Sequence, residues 1–286
     1  MIELVVTLTL LGVVATMILG TLRGQQRFQI GMMEILDAKR SAHHAVDVLY
    51  AGLRATSSRD IYAIADSSIA LRATHGASYI CAIDSGRASI TLPSSADGAD
   101  LSTFLTMPRA GDSLVVLDSG ESPAGDDDRW SAHVLSSDPT GGVCPMRPAG
   151  LSKRPDAQGI AIALLPQLSG TIHVGSPVRF FRATRYSLYR GTGSEWMLGY
   201  STCAAGACSA RQPLSGPYLP FRAQGLGGVA FQFFDAPGAP TSDPRGVARI
   251  DVVARTRSAS RIDAAHLRAE HYYDSAAMTI ALRNSS

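Results

Sequence analysis

The chain has 286 residues, of which 45% are hydrophobic and 17% charged, and its net charge at neutral pH is +2. Such a composition excludes a disordered chain and leaves room for one large core or two modest ones. A net charge so near zero makes no case for a polyanionic partner.

The first element is an apolar helix. From Leu4 to Leu22 the stretch LVVTLTLLGVVATMILGTL holds 19 consecutive residues without a charge. At 1.5 Å per residue, a helix of that length crosses roughly the 30 Å core of a bilayer. A cleaved signal peptide would have a basic start and a shorter apolar run, and a buried core helix is seldom apolar on every face for so long. The spacing predicts a membrane-spanning helix over residues 1–24. Glu3, the one carboxylate at its start, sits where the helix dipole and the headgroup region tolerate an anion, so spacing alone leaves its role open between solvation and function.

Beyond Gly24 the pattern becomes amphipathic. Phe28, Met32, Ile35, Ala42, Val46, Leu49 and Leu53 follow a four-three alternation interrupted by Lys39, and no proline occurs before Pro93. The same helix is therefore predicted to continue over residues 25–57. Residues 58–286 read as β. IYAIAD, SIALRA, SYICAI and ASITLP succeed one another between Ile61 and Pro93 with the spacing of short antiparallel strands. Residues 95–158 are irregular, with SLVVLD as their clearest strand. GIAIALL follows, and VRFFRATRYSLYR and EWMLGYS flank GTGS, a hairpin by its turn residues. Period-two spacing puts Trp196, Leu198 and Tyr200 on one strand face, as it does Val229, Phe231 and Phe233, then Ile250, Val252 and Ala254, then Met278, Ile280 and Leu282. The fold class is α+β, a long N-terminal helix laid on antiparallel sheet.

Catalytic signatures are missing from the sequence. It has no G-x-S-x-G elbow, no phosphate-cradling G-x-x-x-x-G-K-[ST] and no H-E-x-x-H, so neither an enzymatic activity nor a cofactor is expected. His43 and His44 are helix neighbours that point to different faces and cannot share a metal. Asp126, Asp127 and Asp128 lack the alternating oxygens of a calcium loop and read as solvated loop charge; DAPGAPTSD, from Asp235 to Asp243, reads as a hairpin loop. Arg245, Arg249, Arg255, Arg257, Arg261 and Arg268 make the C-terminal part locally basic, which admits DNA contacts, but Asp251, Asp263, Glu270 and Asp274 dilute it.

Four cysteines remain. None forms C-x-x-C and no histidine lies near Cys203 or Cys208, so zinc and thioredoxin-type motifs are excluded. Ala204, Ala205, Gly206 and Ala207 let the chain turn tightly enough for a Cys203–Cys208 bridge with Cα atoms about 4.4 to 6.8 Å apart. Cys81 and Cys144 are the remaining pair, and four free buried thiols are the alternative. An even number of cysteines behind a membrane anchor suggests an oxidising compartment.

IELVVTLTLLGVVATMILG, followed directly by an amphipathic helix, resembles the N-terminal segment of type IV pilins and type II secretion pseudopilins. Mature chains of that family start Phe-Thr-Leu-Ile-Glu-Leu, and Ile2, Glu3 and Leu4 match the last three. The resemblance implies that Glu3 is the family's assembly glutamate, which neutralises the terminal amine of a neighbouring subunit inside the helical core of a filament, where a buried charge needs a partner. Later segments, VDVLYAGLR, RYSLYRGTGSEWMLG, GLGGVAFQFFDAPG, VARIDVVARTRS and MTIALRN, are similar in order to the larger minor members of that family, the PilW and type II secretion J-subunit (GspJ) group.

What the resemblance implies is a structural subunit, a minor pilin or pseudopilin that primes or caps assembly of a type IV pilus or a type II secretion pseudopilus. It would be single-pass in the inner membrane, with its β domain in the periplasm, and would meet other minor subunits and the major pilin through the N-terminal helix. The alternative is a filament-tip module that binds DNA or a surface ligand. The family's short basic leader, cleaved before an N-methylated Phe, does not precede Ile2. With positive charge only at Arg23 and Arg27, the positive-inside tendency would leave the β domain in the cytoplasm, so the natural start is expected upstream of Met1.

Overall fold

The computed structural model describes residues 2–54, 56–94, 102–122, 125–145, 157–204, 207–222, 226–262 and 270–282. Its first element, α1 (Ile2–Leu53), is a single helix of 52 residues, about 78 Å long at 1.5 Å per residue. Every residue from Val6 to Ile30 is exposed, Leu11 to 71% and Phe28 to 69%. The hydroxyls of this half turn back on their own helix: Thr7, Thr9, Thr16 and Thr21 donate to the carbonyls of Glu3, Val6, Val13 and Ile18 at 2.8 to 3.0 Å. These groups need no water, which is the condition for a helix to sit in hydrocarbon.

Helix α1 stops at Leu53, short of the expected 57. Asp60 accepts from the Ser57 backbone N–H and hydroxyl, and the resulting short 3-10 turn, Ser58–Asp60, redirects the chain into the first strand. The larger sheet is built from β1 (Ile61–Ala65), β2 (Ser68–Tyr79), β3 (Ala82–Ile83), β4 (Ser89–Pro93), β5 (Thr103–Phe104), β6 (Ser113–Asp118), β7 (Arg129–Leu135), β8 (Thr140–Cys144), β9 (Ala157–Leu165), β10 (Pro177–Arg190), β11 (Trp196–Ala204), β12 (Ala207–Cys208) and β13 (Gln212–Tyr218). Its order is β1-β2-β10-β6-β7-β9-β4-β3, with β11 also on β10, and β12 and β13 on β11. A separate three-stranded sheet follows, β14 (Val229–Phe234), β15 (Arg249–Arg257) and β16 (Tyr273–Ala281), in sequence order. All of these pairings are antiparallel, as an α+β fold requires.

Two cores result. The first lies where Ala45, Leu49 and Leu53 of α1 meet Ile69, Leu71, Leu188 and Leu198 of the larger sheet and Phe231, Val252 and Ile280 of the smaller one. The second is enclosed as the far end of the larger sheet bends round to bring β4 against β2, and it holds Ile80, Ile90, Leu114, Val116, Ile162 and Phe180. Strand β10 feeds both, with Phe180 in the second core and Leu188 in the first. Each such side chain contributes about 1.5–3 kcal/mol on burial.

Several expectations are corrected. The buried stripe of α1 is Ala38, Ala42, Ala45, Leu49 and Leu53; Phe28 and Met32 lie outside it, because the β domain reaches the helix only from about Gly31, whose Cα faces Ile262. Ala38 takes the interior place next to the exposed Lys39, so the interruption in the pattern is a one-residue step of the stripe. The segment SYICAI is not one strand: Ser78 and Tyr79 end the 12-residue β2, and β3 begins at Ala82. The irregular stretch 95–158 contains β5, β7 and β8 besides the expected β6, and β9 begins within it at Ala157.

Candidate functional site

The most exposed apolar surface is the N-terminal half of α1. Glu3 lies in its first turn, exposed, and its carboxylate has no hydrogen-bond or ion-pair partner among the described residues. Helix α1 is long and apolar enough to cross a membrane, and none of its candidate spanning window is buried by the β domain. One N-terminal helix of that kind followed by a β-rich domain is consistent with single-pass membrane topology and is compatible with a pilin-like architecture.

The C-terminal half is fixed to the β domain by hydrogen bonds as well as by packing. The fully buried Thr256 hydroxyl donates to the Ala38 carbonyl at 2.9 Å, and the Tyr218 hydroxyl donates to the Ser41 carbonyl at 2.9 Å. Burial pushes the Tyr218 phenol up to about 12, so it stays a donor at any physiological pH. Ser41 returns a bond to the Gly216 carbonyl at 3.2 Å, and the Ser260 N–H donates to the Glu34 carboxylate at 3.0 Å. The orientation of α1 on the sheets is thereby set from three separate segments.

All four cysteines are bonded. Cys81 joins Cys144 with Cα atoms 5.3 Å apart, tying the end of β2 to β8 around the buried Tyr79. Cys203 joins Cys208. Their Cα atoms lie 3.9 Å apart, closer than expected, and the two cysteines are paired across the β11–β12 ladder.

Other singled-out residues occupy structural positions. His43 and His44 are both exposed on α1, and no group of three metal-ligating side chains exists among the described residues. The Asp127 carboxylate accepts from the N–H groups of Glu121 and Ser122 at 2.8 and 3.1 Å; those bonds hold it below the usual carboxylate range and fold its own loop. Within the 235–243 loop, Asp235 accepts from the Ala239 N–H and Asp243 from the Arg245 N–H. The C-terminal arginines are not gathered on one free face. Arg249 sits 4.0 Å from the Phe234 ring centroid and 3.4 Å from Asp251, and Arg255 donates to the Gly227 carbonyl. Arg245, Arg257 and Arg261 are exposed, and Arg268 lies outside the described residues.

A polar centre that sequence reasoning missed lies inside the domain. Arg182 on β10, 9% exposed, grips the buried Asp112 with two hydrogen bonds, Nε to Oδ1 at 2.8 Å and Nη2 to Oδ2 at 2.6 Å. It also donates to the Thr106 hydroxyl and the Met107 carbonyl. His75 Nδ1 faces the Thr106 carbonyl at 3.2 Å, and because a carbonyl only accepts, this nitrogen carries a proton; Nε2 lies 3.4 Å from Asp112 Oδ2. Burial works against the Asp112 charge, but hydrogen bonds from Arg182 and the Arg109 N–H outweigh it and hold the carboxyl well below its usual range. A Ser–His pair, Ser131 Oγ to His133 Nε2 at 2.9 Å, is likewise structural: His133 is 4% exposed and its Nδ1 donates to the Pro166 carbonyl, latching the turn after β9. No family model, characterised protein or solved structure matches this chain.

Proposed function

We propose that this chain is a minor pilin or pseudopilin, a structural subunit that primes or caps a type IV pilus or type II secretion pseudopilus. It is anchored in the inner membrane by residues 1–24, carries its β domain, residues 58–286, in the periplasm, and meets other minor subunits and the major pilin through the N-terminal helix. It works by assembly and carries out no chemistry. The observation that supports this reading is the division of one unbroken helix: an N-terminal half with all of its apolar side chains unburied from Val6 to Ile30, and a C-terminal half locked into the β domain. Such a helix leaves its domain folded while offering a long apolar rod first to lipid and then to the helices of neighbouring subunits. Two disulfides fit an oxidising compartment.

Glu3 is the residue on which assembly turns in this reading. Its carboxylate, unpartnered in the isolated subunit, is free to neutralise a cation that becomes buried on helix-to-helix packing. Glu3→Ala in the full gene should leave the subunit in the membrane fraction with an unchanged thermal unfolding of the β domain. Its recovery in sheared filaments, and its cross-linking to other subunits, should fall by at least about tenfold, the scale of one lost buried charge pair. Normal incorporation of the Glu3→Ala subunit would overturn the assignment.

A further inference from the structure

Strand β16 ends its sheet with an open edge. It pairs with β15 over all nine of its residues without a bulge, and no strand lies on its other side among the described residues. The Ser258 N–H donates to the Tyr272 carbonyl and the Leu282 N–H to the Ala248 carbonyl, so the even-numbered residues turn their backbone groups to β15. Tyr273, Ser275, Ala277, Thr279 and Ala281 turn theirs the other way. None of these five has a backbone partner on that side among the described residues, and all five are exposed. Other edge strands are short, broken or covered. β3, β5 and β12 have two residues, β1 and β8 have five, and β13 carries Pro213 and Pro217. On the far side of the smaller sheet the outward groups of β14 are taken: the Phe231 N–H donates to the Asp66 carbonyl, and the Phe233 carbonyl accepts from the Thr241 N–H. β16 has no proline, no glycine, no basic residue and a single acid, Asp274, so it lacks the usual devices that keep an edge from pairing.

We propose that a β-strand of a different subunit adds to β16 in the assembled filament, a step that rests on the subunit reading above. A row of alternating N–H and C=O groups about 30 Å long is matched by another extended backbone. The inward row of β16 states which side chains that strand carries. Ala276 and Ile280 are buried, whereas Met278 between them packs on the first core and is only partly covered. Alternate residues of the incoming strand are therefore apolar and extend that core. The outward side chains of Ser275, Ala277 and Thr279 are small, so they leave the edge accessible. A second copy does not fit this place. Thr256 bonds to Ala38, Ser260 bonds to Glu34, and Ile262 meets Gly31, so β15 runs against α1 and β16 runs with it. Antiparallel pairing of β16 with its own copy would point the two helices in opposite directions, which two helices entering one membrane from the same side cannot do.

The test uses the full chain. In neutral detergent micelles, amide exchange at Ala276, Met278 and Ile280 should be at least about tenfold slower than at Ser275, Ala277 and Thr279. Equal protection would show the edge already covered and would overturn the proposal. In filament-producing cells, photoreactive benzoylphenylalanine placed in turn at positions 275, 277 and 279 should cross-link to one segment of one other subunit, its attachment point moving by about two residues at each step. Ala277→Pro removes an outward N–H and leaves the bonds to β15 in place. It should cut the adducts from positions 275 and 279 by at least about tenfold, while Ala277→Val, which keeps the N–H, should not. Adducts without the two-residue step, adducts to a second copy, no adduct from any position, or equal yields with Ala277→Pro and Ala277→Val would each overturn strand addition. The stepwise mapping needs no proline, so it decides the matter even where Ala277→Pro lowers Tm. Glu3→Ala keeps the two readings apart: its normal incorporation overturns the subunit reading, whereas its exclusion together with any of the failures just named overturns strand addition alone.

Discussion

The same truncation made at two points of α1 separates what its halves do. Leu49 has no solvent contact and sits in the first core, whereas Leu11 is 71% exposed and touches nothing in the β domain. Leu49→Ala loses the transfer free energy of the removed atoms and leaves a cavity that neighbouring side chains fill only in part, together about 2–5 kcal/mol. In a domain of this size each kcal/mol moves Tm by roughly 2–4 °C, so a fall of about 4–20 °C is expected. Leu11→Ala should change stability by less than about 0.5 kcal/mol, since no packed contact is lost. Its effect falls instead on membrane partition, where three missing carbon groups remove about 2 kcal/mol. Thermal unfolding of the full chain in micelles can be followed by Trp196, whose indole packs on the first core, and partition by release from lipid vesicles. Equal Tm losses from the two variants, or a loss of under about 1 kcal/mol from Leu49→Ala, would refute the division of the helix.

Asp112→Asn leaves the Arg182 charge buried without its counter-ion and should cost about 3–5 kcal/mol in urea unfolding. The depressed Asp112 carboxyl contributes stability that is fully present above the ordinary value of 3.8 and is lost as pH falls from there through its folded-state value. The Asn variant should therefore show a shallower loss of stability below that pH than the parent, and an unchanged slope would contradict the pairing. Replacing Cys81 and Cys144 by Ser opens a loop with a sequence separation of 63, worth about 4 kcal/mol by loop entropy. The Cys203–Cys208 loop, with a separation of 5, should cost about 2 kcal/mol. Melting curves read both, and non-reducing peptide mapping that recovered Cys203 and Cys208 as free thiols would remove the smaller bridge and reopen the question of which side of the membrane the β domain occupies.

How far the sequence could be read depended on whether one periodicity had one cause. In β14, β15 and β16 it did: Val229, Phe231, Phe233, Ile250, Val252, Ala254, Ile280 and Leu282 are all buried as period-two spacing places them. Along α1 two causes overlap, because the exposed residues of its N-terminal half and the core-facing ones of its C-terminal half are equally apolar; Phe28 and Met32 continue the pattern of Leu49 and Leu53 yet lie outside the buried stripe. Strand β7 was hidden because its inward positions include His133 while Trp130 and Val134 point outward, so polar and apolar places are exchanged. Pro213 and Pro217 disguised β13, which tolerates them by pairing only with β11 in a broken register. The polar centre had a legible signal. Val178, Phe180, Arg182 and Thr184 occupy alternate places on β10 and all are buried, so the parity of the strand itself sends an arginine inward, and a buried arginine demands a carboxylate. Which carboxylate could not be read, since Asp112 comes from a segment 70 residues away.

The way α1 is fastened determines how the subunit responds to force. A pull on the N-terminal half runs along the helix axis and reaches the domain through Ala38, Ala42, Ala45, Leu49 and Leu53, with the Thr256 and Tyr218 hydrogen bonds lying across the same seam. These contacts are loaded in parallel, as shear, so none can fail before its neighbours take up the strain; peeling the helix sideways would load them one at a time. Tension along the helix axis is therefore the direction in which this attachment is strongest, and a sideways pull that peels the helix from the sheets is the direction in which it gives way.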